Sequence, residues 1–135
     1  MKTYPCILCI GGLDPSGGDG IQADIETVSV LGGRALTLVT ALTAQSSHDI
    51  SAVQPVSTRF FSTQLELLMR DIWPDASKIG LLGSVDLVPV VRDLLQGFEG
   101  PVVLDPVLAT GGGFDLDTDD LDRRMHDQLV PLTRL

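Results

Sequence analysis

Positive charge is scarce in this chain: nine Lys and Arg stand against eighteen Asp and Glu, a formal net charge of −9 over 135 residues. Affinity for the nucleic-acid backbone comes mainly from clustered Lys and Arg, so DNA and RNA are poor candidates as partners. An anionic membrane surface is disfavoured on the same ground. A nucleotide is not excluded, because Mg²⁺ can sit between carboxylate and phosphate. Long apolar runs are missing too. The run from Pro5 to Ile10 is too short for a signal-peptide core and ends in Gly11-Gly12. No stretch approaches the roughly 20 apolar residues of a membrane span. Cysteine is limited to Cys6 and Cys9, in CxxC spacing. If they lie on a strand, their odd offset puts the thiols on opposite faces, about 10 Å apart along the chain, whereas a disulfide needs Cα atoms within about 7 Å. No second CxxC or His pair completes a zinc site. Two buried core thiols in a reducing, cytoplasmic setting are therefore expected.

The remainder, 44% apolar and 20% charged, describes a globular chain with a real core. Its length suits one domain, spanning 1–135. Short apolar runs alternate with amphipathic ones, the signature of an α/β unit on a parallel sheet. Strands are expected at Pro5–Ile10, Arg34–Thr43, Ser77–Leu82 and Pro101–Asp105. Between them Ile21, Ile25, Val28 and Leu31 recur at helical spacing before Gly32-Gly33 stops that helix. A second helix runs from about Ser57 to Ile72, capped by Ser57 or Thr58, with Phe61, Leu65 and Leu68 as its stripe. Ser84 caps a third, reaching about Leu95, with Pro89 bending its start. Thr118 caps a last one, on which Leu121, Met125 and Leu129 share a face.

Ligands of open parallel sheets bind outside the carboxyl ends of the strands, and the unusual residues of this sequence fall there. Gly11 to Gly20 follows the first strand and Ala44-Gln45-Ser46-Ser47 the second. Gly80-Leu81-Leu82-Gly83 closes the third, and Asp105-Pro106-Val107 with Thr110 to Gly113 closes the fourth. The glycine-rich loop fits no phosphate template: Gly18-Asp19 stands where a P-loop needs Lys and a hydroxyl residue, and no GxGxxG exists. Asp19 and Gln22 have capping-box spacing, which would put a carboxylate at the positive helix end where a phosphate could lie. The loop thus suits a neutral or cationic group better than a phosphate. Gln45 offers a donor and an acceptor side by side, the complement of an aminopyrimidine edge, or else is an ordinary loop residue. Asp105 reads as a Mg²⁺ or nucleotide ligand, or as a turn Asp. Asp115 to Asp119 mimics the start of a calcium loop, but Asp120 and His126 stand where Gly and Glu are needed. His48 and His126 lack plausible partners, so no catalytic role is assigned to either.

The run Gly12-Leu13-Asp14-Pro15-Ser16-Gly17-Gly18-Asp19-Gly20-Ile21-Gln22-Ala23-Asp24 resembles the GxDPSGGAGIQAD signature of the hydroxymethylpyrimidine/phosphomethylpyrimidine kinases, thiamine-biosynthesis enzymes of the ribokinase superfamily. The resemblance continues through Thr40 to Gln45, Lys78 to Leu82 and Val103 to Leu108. It implies a ribokinase-like, three-layer αβα fold with a mostly parallel sheet, of which this chain would be roughly the N-terminal half. It implies Mg-ATP as phosphoryl donor and 4-amino-5-hydroxymethyl-2-methylpyrimidine, then its monophosphate, as acceptors. By position, Gln45 would bind the pyrimidine edge, with Gly12 and Asp14 in the substrate loop. Leu81 and Val107 would wall the ring, Asp24 would border the site, and Asp105 would lie near the magnesium and ATP phosphates. Two departures stand out. Asp19 replaces the usual Ala, adding a charge beside the substrate loop. Family members are also about twice as long, and the missing half would hold the glycine-rich anion hole and the catalytic residue, so none is expected here. Three alternatives remain: a non-catalytic pyrimidine-binding module, an assembly module whose unpaired sheet edge makes it a homo-oligomer, or a kinase for a related ring such as pyridoxal.

Overall fold

The computed structural model describes residues 4–107 and 118–134, with side chains left undescribed at 118 and 119. Five strands form one sheet: β1 (Cys6–Leu13), β2 (Arg34–Gln45), β3 (Ile50–Pro55), β4 (Ala76–Ile79) and β5 (Val102–Leu104). Four helices accompany them: α1 (Gly20–Val30), α2 (Thr58–Asp71), α3 (Val88–Gln96) and α4 (Thr118–Gln128). The sheet order is β3-β2-β1-β4-β5. β2, β1, β4 and β5 run parallel, and β3 is antiparallel to β2 at one edge.

β1 is central because it can bury both faces. Cys6, Leu8 and Ile10 point into one apolar cluster with Phe61 of α2, Val91 and Leu95 of α3, Leu121 and Met125 of α4, and Leu129 just beyond it. Cys9 points the other way, toward α1, which supplies the buried Ile21. The result is three layers: α1, the sheet, then α2, α3 and α4. Both thiols are free and buried, as expected from their offset. The chain leaves β1 toward β2 on one side and returns through α2 to β4 on the other. β1 therefore flanks the point where strand order reverses, the place where parallel sheets bind ligands.

Several expected boundaries move. β1 continues through Gly11-Gly12, with a register shift against β2 at that step. A glycine pair reads as a stop, but pairing with Val39 and Ala41 of β2 carries the strand through it. β2 extends to Gln45, placing that residue on the strand end rather than in the following loop. β4 stops at Ile79, leaving Gly80 to Gly83 as loop. β3 was not expected. It is a mostly exposed edge strand ending in proline, so it carries little apolar signal. Ser57 is the N-cap of α2, accepting from Phe60 N at 3.3 Å. Ser84 instead caps a single 3₁₀ turn, Val85–Leu87, that precedes α3, and Pro89 is accommodated in the first turn of α3. The apolar stretch after α4 is not a strand. It forms a 3₁₀ turn, Val130–Leu132, after which Arg134 makes an antiparallel bridge to Val102 at the β5 edge. That bridge occupies part of the edge expected to drive self-association. The runs Thr110 to Gly113 and Asp115 to Asp117 lie outside the described residues, as does the side chain of Asp119.

Candidate substrate site at the carboxyl ends of the strands

A cavity of about 330 Å³ opens at the carboxyl end of the sheet. Its walls come from four parallel strand ends and the β2–β3 turn: Gly12 of β1 and Asp14 just after it, Gln45 of β2, Leu81 after β4, and Asp105 and Val107 after β5. Six of the seven residues singled out from the sequence thus line one space. The seventh, Asp24, does not line it. It sits one layer behind on α1, where its carboxylate meets the Lys78 ammonium at 3.0 Å.

The glycine-rich loop is organised around Asp14, which is only 3% exposed. Its carboxylate accepts from Ser16 N and Ser16 Oγ, both at 2.7 Å, and from Asp19 N at 2.9 Å. Burial alone would raise the Asp14 pKa, but the bonds from Ser16, Asp19 and Gly18 outweigh it and hold the carboxyl below its ordinary value. Asp14 is therefore the clasp of the loop, with its lone pairs committed to the protein. The expected capping box does not form. Asp19 caps α1 through Gly20 N at 2.7 Å, and Gln22 Oε1 instead accepts from Asp14 N at 3.1 Å. Gln22 thus ties the loop to the helix rather than closing a reciprocal cap. A carboxylate does stand at the helix end, as its N-cap.

Gln45 is aimed by a β-bulge. The β2–β3 register shifts between Ala44 and Gln45, and such a shift turns a side chain out of the regular alternation. Thr43 Oγ1 lies 2.8 Å from both Leu13 O and Gln45 Oε1, and its one proton serves one of them at a time. Thr40, fully buried, donates to Leu81 O at 2.5 Å and fixes the loop that carries Leu81.

Thr43, Lys78 and the turn Ser46 to Asp49 also line the cavity, although no site role was expected of them from the sequence. Thr43 and the turn belong to the β2–β3 hairpin, whose turn and second strand carry little apolar pattern, and Lys78 belongs to β4. His48, assigned no role, is among them. His126 has a neighbour after all, Asp127 at 3.2 Å, but both are exposed and remote from the cavity. Behind Lys78 and Asp24 lies Cys9. Burial and the adjacent Asp24 charge push its thiol up to about 11, with Lys78 opposing them. Among the described residues no cluster of three or more His, Cys, Asp or Glu could cage a metal. Asp105 is an exposed carboxylate on the cavity wall. A single carboxylate with substrate phosphates is a usual way to hold Mg²⁺, so the donor chemistry fits that ion. Among the described residues no helix is long and apolar enough to cross a membrane.

Known proteins resemble this chain in sequence and in fold. The hydroxymethylpyrimidine/phosphomethylpyrimidine kinase of Escherichia coli is 36% identical over 129 residues, covering 95% of this chain and 48% of that protein. The crystal structure of phosphomethylpyrimidine kinase from Clostridium difficile superposes with a TM-score of 0.85 at 32% identity, covering 97% of this chain and 57% of that one. Pyridoxal kinase from Staphylococcus aureus in complex with AMP-PCP superposes with a TM-score of 0.84 at 28% identity, covering 98% and 48%. The chain thus spans about half the length of these relatives. The family model described as phosphomethylpyrimidine kinase matches residues 14–135. With its parallel sheet, its Asp14-clasped loop and these likenesses, the chain belongs to the phosphomethylpyrimidine kinase family.

Proposed function

We propose that the cavity binds 4-amino-5-hydroxymethyl-2-methylpyrimidine, and then its monophosphate, as acceptors in ATP-dependent phosphoryl transfer for thiamine biosynthesis. The observation that carries this reading is the position of Gln45: a bulge-aimed amide in the same cavity wall as Gly12, Leu81 and Val107. A planar aminopyrimidine presents a donor beside an acceptor, and an amide side chain presents the reverse pair. Leu81 and Val107 supply apolar surface for the ring faces, and the Gly12 backbone allows close approach on the β1 side. Asp14 holds the loop in shape, and Asp24 acts at one remove through Lys78.

The donor would be ATP, as the family's kinase names and the AMP-PCP complex of the related pyridoxal kinase suggest. Asp105 would hold Mg²⁺ together with the nucleotide phosphates. That ion supplies charge neutralisation of the transferring group. Phosphoryl transfer also needs positioned donors around the transferring phosphoryl group, and we assign no catalytic residue within 1–135.

Calorimetric titration with hydroxymethylpyrimidine tests the reading directly. Saturable one-to-one binding, displaced weakly or not at all by pyridoxal, is the expected result. Absence of binding, or tighter binding of pyridoxal, would overturn the pyrimidine assignment.

A further inference from the structure

Among the described residues the cavity is lined by four carboxylates, those of Asp14, Asp19, Asp49 and Asp105, and by a single Lys or Arg, Lys78. Among those residues Lys78 is the one fixed cation that a phosphoryl group entering this space would meet. The local build delivers that cation to the cavity. Lys78 sits near the carboxyl end of β4, paired in register with Cys9 of β1. Its side chain runs forward over Gly80, where an added Cβ would stand 3.0 Å from Nζ and 3.7 Å from Cε. The missing side chain at Gly80 is thus the lane along which the ammonium reaches the cavity. Asp24 holds it there, with Nζ 3.0 Å from Oδ1 and 3.3 Å from Oδ2. The pair is half-buried, the Lys78 side chain 27% and the Asp24 side chain 15% exposed. An ammonium has three donors, and Asp24 is its only protein partner among the described residues.

We propose that Lys78 is the phosphoryl-binding residue of the cavity, its ammonium held over Gly80 by Asp24 and presented to a terminal phosphate oxygen. That oxygen belongs either to the phosphorylated pyrimidine or to the nucleotide. The reasoning needs only a phosphoryl ligand in the cavity, although it rests on the proposed function for which ligands to try. A plain structural ion pair would stabilise α1 against the sheet and leave ligand preference untouched. This difference is what the experiment reads.

The test is calorimetric titration of the chain with hydroxymethylpyrimidine, its monophosphate and Mg-AMP-PCP. The proteins are wild type, Lys78→Met and the double variant Asp24→Asn/Lys78→Met. The double variant leaves no unpaired half-buried carboxylate, so it serves where the single variant folds poorly. A lost charge-assisted bond predicts that affinity for at least one phosphoryl ligand falls about tenfold or more beyond any change for the alcohol. The ligand that shows the loss identifies the source of the phosphoryl group. Equal weakening of all three ligands, or unchanged phosphoryl binding, overturns the proposal. So does a wild type that binds neither phosphoryl ligand. If the alcohol still binds in that case, the pyrimidine reading stands while Lys78 loses its role. If instead the alcohol fails to bind and the phosphoryl ligands depend on Lys78, the pyrimidine reading falls and this one stands.

Discussion

Gly20, the first residue of α1, lies directly against the carbonyl oxygen of Gly12 in β1, so closely that a Cβ on Gly20 would collide with it. Gly20 also has φ of +61°. The glycine-rich loop therefore closes on itself backbone to backbone, and this contact sets the entry of α1 beneath the cavity.

Gly20→Ala should lower stability by about 2 kcal/mol or more, combining a left-handed backbone with a clash against a carbonyl that cannot rotate away. Urea unfolding measures this. An unchanged midpoint would show that the loop relaxes freely.

Asp14→Asn replaces one acceptor oxygen with a donor facing the donors of Ser16 and Asp19, at a cost of about 1–3 kcal/mol near neutral pH. The pH dependence has a definite sign. The folded Asp14 pKa lies below its ordinary value, so the unfolded chain takes up the proton first on acidification. The contribution is fully present above the ordinary value, near pH 4, and is lost as pH falls toward the lower folded value. The gap between wild type and variant should narrow from pH 6 to about pH 3 in denaturant titrations. A gap that stays constant would mean the carboxylate charge is irrelevant to the clasp.

Gln45→Ala should weaken pyrimidine binding about tenfold or more by removing paired polar contacts. Thr43→Val removes only the hydroxyl that anchors the amide, and about two- to fivefold is expected. Calorimetry on both variants orders the two effects. Equal losses would argue that Gln45 acts through packing alone.

Cys9 is 1% exposed and Cys6 is 2% exposed, so neither thiol should react with a thiol-specific disulfide reagent in the native state, and both should react in denaturant. The raised Cys9 pKa adds a stability term that is complete below about pH 9 and lost as pH rises through about 11. Cys9→Ala should flatten the alkaline limb of the stability profile. An alkaline limb as steep as that of wild type would contradict this.

The parallel strands, their order of appearance and the helix stops were legible in the sequence because buried strands carry dense apolar runs and helices end at Gly32-Gly33. The loop residues around Asp14 were legible as a motif, since glycines and short polar side chains mark backbone geometry directly. Three things were not. β3 is mostly exposed, with no apolar alternation to register, and it ends in proline. Gln22 matched the spacing of a capping box but turned to Asp14 N, because the loop folds back and offers a nearer donor. Lys78 read as one letter of a motif; its importance rests on Gly80 two residues on and Asp24 some fifty residues back, a relation no local pattern encodes.

The antiparallel edge also divides the site in time. β1 and β4 are flanked on both sides and packed against the core, whereas β3 hangs from β2 alone and is exposed along most of its length. Amide protons of β3 should therefore exchange through small local openings, while those of β1 wait for the whole sheet to come apart. Gln45 and the Ser46 to Asp49 turn ride on the quick side, and Gly12 on the slow one. An incoming ring would meet one wall that yields within the native state and one that does not.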